Sequence, residues 1–109
     1  MVVAQESIAA RVGAEILKNG GNAVDAGVAA AMSLAILQPD IVSFSGVAPT
    51  LVYQKSDRTV HSLAGLGCWP QSTDIERLRS EGNGVVPEGL LRTVMPAAPA
   101  THIEALLHF

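Results

Sequence analysis

Apolar positions first recur at Ile8, Val12 and Ile16, with Leu17 beside them, while Arg11, Glu15 and Lys18 fall mostly on the other side. That i, i+4, i+8 spacing marks one face of a helix. It predicts a helix from Ile8 to about Asn19, capped by Ser7. Gly20 then stands where a left-handed residue closes a helix, after a lysine in the last turn. Asn22 follows as a cap for a second helix over Ala23–Leu37, with Asp25 in its first turn, where a carboxylate meets the positive end of the helix dipole. That helix has no polar face beyond Asp25 and Ser33. A helix apolar all round is expected to be buried on several sides, its alanines and Gly27 letting neighbours approach closely. Pro39 ends it.

The period then changes. Residues Ile41 to Pro49 read as a loop or short strand. Thr50 to Lys55 favours a strand through Leu51, Val52 and Tyr53. Ser56-Asp57-Arg58 reads as a turn and Thr59 to Leu63 as the returning strand of a hairpin. Ala64 to Pro70 is irregular. Thr73-Asp74-Ile75-Glu76 matches a capping box opening a short helix to about Ser80. Glu81 to Gly84 reads as a loop, and Val85 to Pro96 fits no single pattern. Pro99 suits the first turn of a last helix through His102, Ile103, Leu106 and Leu107. The expected class is α/β in the α+β sense: a helical hairpin, a β-hairpin and short helices in one domain, or part of one, over residues 1–109.

Composition narrows the function classes. Hydrophobic residues are 49% and charged residues 16% of the 109, which argues against disorder. Net charge is −3 with no basic cluster, so a nucleic-acid footprint is not expected. The apolar run from Ala26 to Leu37 is too short to span a bilayer. No leader pattern opens the chain, since Gln5, Glu6 and Ser7 follow the first four residues at once. The expected compartment is open, with the cytoplasm slightly favoured. The one cysteine, Cys68, allows no internal disulfide.

Chemistry is sparse. Gly20-Gly21 follows a helix rather than a strand and has no phosphate-loop spacing, so it reads as a joint. Ser43 and Ser45 lack the GxSxG setting of a strained nucleophile. His61, His102 and His108 belong to no HExxH or carboxylate cluster, and the last two, six apart, lie on different helix faces. Cys68 has no evident cation or helix terminus to lower its pKa, so a buried or idle thiol is expected. Trp69 reads as a packing anchor. No catalytic residue, cofactor site or metal site is expected in this chain.

The segment EILKNGGNAVDAGVAAAMSLAILQPD resembles the opening of the γ-glutamyltranspeptidase family, with a dense match at Gly20, Gly21, Asn22, Ala23, Asp25, Ala26, Val28, Ala29 and Ala30. Leu51-Val52-Tyr53, the return strand Val60 to Leu63, and Val94-Met95-Pro96-Ala97 resemble later elements of the same family. The resemblance implies a four-layer αββα N-terminal nucleophile hydrolase, in which a threonine freed by self-cleavage attacks a γ-glutamyl amide, glutathione being the usual donor. The free α-amine beside such a hydroxyl serves as its base. Thr50, Thr59, Thr73, Thr93 and Thr101 match no such processing motif. The family's glycine-rich stretch is replaced here by Ser43-Phe44-Ser45-Gly46-Val47-Ala48. Aligned on Pro70, Leu66 stands where the family has the arginine that holds the donor's α-carboxylate, and a leucine cannot clamp a carboxylate. The expected role is the N-terminal part of the large subunit of such an enzyme, inactive alone, with the rest of a precursor or a second subunit as partner. The alternatives are a self-associating, non-catalytic module and part of a divergent acylase with a non-glutamyl substrate.

Overall fold

The computed structural model describes residues 1–109. The chain runs α1 (Ser7–Lys18), α2 (Ala23–Leu37), β1 (Thr50–Gln54), β2 (Thr59–Leu63), α3 (Ile75–Gly82), a 3₁₀ turn (Leu90–Arg92) and α4 (Ala98–His108).

The joint between α1 and α2 forms as its residues dictate. Gly20 takes φ +93°, and the Gly20 and Gly21 N–H groups donate back to the carbonyls of Leu17 and Ile16 at 3.2 and 3.0 Å. These are the two bonds of a Schellman closure. Asn22 Oδ1 then accepts from the N–H groups of Val24 and Asp25. The Asp25 carboxylate accepts in return from Asn22 N–H at 2.8 Å, completing a reciprocal cap.

The first cap differs from expectation. Glu6, not Ser7, caps α1, its carboxylate accepting from Ile8 and Ala9 N–H. The longer acid reaches the free donors from one residue earlier, and a full charge there also meets the helix dipole.

The α1–α2 contact is also narrower than the aliphatic stripe implies. Ala9 and Gly13 are the buried residues of α1, against Ala26 and Ala30 of α2, while Ile8 is exposed. A Cβ on Gly13 would lie 2.8 Å from the Ala26 carbonyl. Small residues four apart on both helices thus let the two backbones approach closely, and the larger aliphatics flank the seam.

The two strands pair antiparallel from Thr50↔Leu63 to Gln54↔Thr59. Residues directly opposite share a face. Val52 and His61 therefore look the same way, towards α4, where the His61 ring meets Phe109 at 5.1 Å. Leu51, Tyr53 and Val60 look the other way, and all three are exposed. α3 is capped by Asp74 rather than Thr73, and it runs on to Gly82, where Asn83 closes it in the left-handed region. Asp74 competes successfully because its short carboxylate reaches Glu76 and Arg77 N–H.

The core is thin. Only nine residues are buried, most of them alanines, and no large side chain is fully enclosed. Ile36 at the end of α2 is 73% exposed. The expectation that α2 is buried on several sides is not met within this chain: α1 covers one side and α4 touches another. Gly27, expected to admit a close neighbour, meets nothing.

Candidate functional site

The segment that follows β2 is held from two sides by backbone bonds. Ala48 N–H donates to Gly65 O at 2.9 Å, and Met95 N–H donates to Cys68 O at 2.8 Å. At the next step Gly46 O accepts from both Ala97 and Ala98 N–H at 3.1 Å, which anchors the start of α4. Residues 64–70 thus lie between the loop before β1 and the segment before α4. Gly67 is required there, because a Cβ on it would collide with the Met95 carbonyl. The signal was present in the sequence as two glycines flanking Leu66, a spacing that marks close backbone approach.

Within this clamp Leu66 projects into solvent at 63% exposure. An apolar side chain displayed from a rigid backbone position can meet an apolar group but offers no charge to a carboxylate. Cys68 is exposed and unpaired, so of the buried or idle thiol expected the buried alternative is not met: the clamp engages its backbone and leaves its side chain outward. Trp69 lines a shallow apolar groove of about 520 Å³ with Ile75, Leu78, Val85 and Val86.

Three of the threonine hydroxyls are occupied locally. Thr50 Oγ1 donates to Ala48 O, Thr59 Oγ1 to Asp57 O, and Thr101 Oγ1 to Ala97 O. Ser43 and Ser45 sit at the turn closed by Gly46 N–H on Ser43 O. The histidines are separate. His61 Nε2 lies 2.9 Å from Asp57 Oδ2, which belongs to the hairpin turn. Thr59 N–H and then His61 hold the Asp57 carboxyl below its ordinary range. His108 lies 3.5 Å from Glu104, one helical turn away. His102 lines a cavity of about 310 Å³ bounded by α2, the hairpin and α4, together with Val24, Gly27, Ala31, Val52 and Ala105. Partial burial there lowers its pKa. None of the three histidines is hydrogen-bonded to a hydroxyl or a thiol. The arrangement can present surfaces and position a backbone, but it does not pair a nucleophile with a base.

The profile of the family described as γ-glutamyltranspeptidase matches residues 9–109. A glutathione hydrolase proenzyme of Pseudomonas sp. (strain A14) is 48% identical over 46 residues, which are 42% of this chain and 8% of that protein. The γ-glutamyltranspeptidase from Pseudomonas nitroreducens, solved in complex with L-DON, superposes with a TM-score of 0.82 at 32% identity. The alignment covers 99% of this chain and 33% of that one. The Helicobacter pylori γ-glutamyltranspeptidase superposes at 0.85 with 22% identity, over 100% of this chain and 32% of that one, and so speaks for the fold. The chain therefore spans about a third of these solved chains and under a tenth of the curated relative. Its mixed helical and antiparallel architecture is that of their N-terminal nucleophile hydrolase fold. No helix is long and apolar enough to cross a membrane. With a family profile covering nearly the whole sequence and a matching fold over the same residues, the chain belongs to the γ-glutamyltranspeptidase family.

Proposed function

We propose that this chain is the N-terminal scaffold of a γ-glutamyltranspeptidase-type enzyme and has no hydrolase or transferase activity by itself. In the whole enzyme the reaction is γ-glutamyl transfer or hydrolysis on glutathione-type donors. The chain packs buried helices against the sheets and lends the clamped 64–70 segment to one wall of the cleft.

The observation that carries this reading is the uncovered surface. The accessible area is 7743 Å². A self-contained monomer of this mass exposes roughly 5,700 Å². The excess is on the order of 2,000 Å², beyond the ~800 Å² that one partner contributes to a standard interface. Much of it is apolar and lies on the free face of the hairpin and the far end of α2. Alignment with a third of each solved relative supports the same view.

The test is an assay of the purified chain with a γ-glutamyl anilide. No release of the aniline is expected. Turnover that copurifies with the chain and survives a mock-purification control would overturn the proposal.

Leu66 favours a second reading, an acylase whose substrate carries no α-carboxylate. In the assembled enzyme an acyl anilide without that group should then be cleaved at least as fast as the γ-glutamyl anilide. A strong preference for the γ-glutamyl compound would remove this reading and leave the first.

A further inference from the structure

With residues 64–70 as one wall of the cleft, as the scaffold reading has it, we propose that His102 is a positioning residue for the acyl donor: its neutral ring, seated between α4 and residues 42–49, keeps the clamp on that wall closed, and the clamp loosens when the ring takes a proton.

The ring stands between two hollows. On one side is the cavity of about 310 Å³ bounded by α2, the hairpin and α4. On the other is a second, of about 300 Å³, lined by Phe44, Val47 and Ala48 of the loop and by Ala98 of α4. His102, Ala31 and Thr50 line both and so form the partition. Neither lining contains a carboxylate. From α2 only aliphatic residues and Gly27 face the ring, since Asp25 lines a different hollow. The hairpin contributes the Tyr53 phenol and the Thr50 hydroxyl, and the loop contributes the Ser43 hydroxyl. On α4 itself, Glu104 lies beside His108. An imidazolium here would have no counter-ion and would give up part of its hydration. Burial alone acts on the ring and favours its neutral form.

The same helix and loop carry the clamp. α4 starts after Ala97, which has no capping side chain. Gly46 O supplies the missing acceptor to the Ala97 and Ala98 N–H groups. Two residues on, Ala48 N–H holds Gly65 O, and Met95 N–H, just before the helix, holds Cys68 O. His102 follows Ala98 by one helical turn and lines the same hollow, so it packs directly behind these bonds. Driving the ring towards water parts α4 from the loop. Both grips on residues 64–70 then slacken together.

The experiment uses the full-length enzyme, unmodified and as His102→Gln and His102→Leu. Each is taken from about pH 7.5 to about pH 5, on either side of the ordinary imidazole value. Hydrogen exchange is read by mass spectrometry and corrected for the intrinsic effect of pH. In the unmodified protein, residues 46–49, 64–70 and 95–98 should lose about fivefold in protection at the acid end, the worth of about one hydrogen bond. Neither variant should show that loss. KM for the acyl anilide that the enzyme cleaves should rise about fivefold over the same interval in the unmodified protein only. The pH profile of kcat should be shared by all three. An acid loss of protection that is equal in all three proteins, or absent from all three, would overturn the inference. So would a KM that rises alike in all three. Should the leucine variant fail to fold, the glutamine variant decides. Exchange is read without turnover, so an inactive enzyme would count against the scaffold reading while the role of His102 is still decided by protection.

Discussion

At the residue scale, backbone demands are the clearest feature of this chain. Gly20 has positive φ and open space around it, so its requirement is conformational alone. Gly20→Ala should weaken the α1–α2 joint by about 1 kcal/mol, read as lost protection of the Gly21 amide. Gly13 is constrained by contact instead. Gly13→Val should part α1 from α2 and cost more than Gly20→Ala, because the Ala26 carbonyl cannot retreat without breaking α2. Equal effects from the two substitutions would contradict this division. His102 supplies the pH dependence. Its folded pKa lies below its ordinary value, so folding favours the neutral ring. The stability this gives is complete above the ordinary histidine value of 6.5 and is lost as pH falls from there through the lowered folded value. His102→Gln should flatten the change in α4 protection across that interval.

At the element scale, caps decide where helices begin. Asp74→Ala should shorten α3 at a cost of about 1 kcal/mol, while Thr73→Ala should be nearly silent in helix content by circular dichroism. Gly27→Ala should raise the helicity of α2 by about 1 kcal/mol, since nothing in this chain occupies the space a methyl group would enter. The same pattern shows how much of the fold was legible in the sequence. The second helix, its asparagine cap, the glycine stop and the return strand follow from local chemistry, and each forms as those residues imply. Thr73 and Ser7 were misleading because a neighbouring carboxylate reached the same donors. The small-residue seam of Ala9, Gly13, Ala26 and Ala30 was hidden, because periodicity arguments weight large aliphatics over alanine and glycine. The clamp around residues 64–70 depends on contacts distant in sequence, which no local pattern carries. For the candidate site, the sequence singled out Leu66 but could not show that the segment around it is gripped on both sides, at Gly65 and Cys68.

At the scale of the whole molecule, the radius of gyration is 17.0 Å and the extents are 53 × 33 × 18 Å. A compact domain of this length has a radius near 13 Å. A chain that is 49% hydrophobic yet buries nine residues has the material for a core without enough of its own surface to enclose it. The two-stranded sheet points the same way, since a lone hairpin with one bare apolar face is marginal in water. Covering that face requires other polypeptide, which is the physical content of the scaffold reading. Urea unfolding of the isolated chain, followed by far-UV circular dichroism, tests this most directly. The slope of stability on denaturant scales with the area buried on folding, and complete small proteins give about 1–3 kcal/mol/M. The account predicts a broad loss of helix with an apparent slope below about 1 kcal/mol/M. A single steep transition within the range of complete domains, with a midpoint independent of protein concentration, would contradict it.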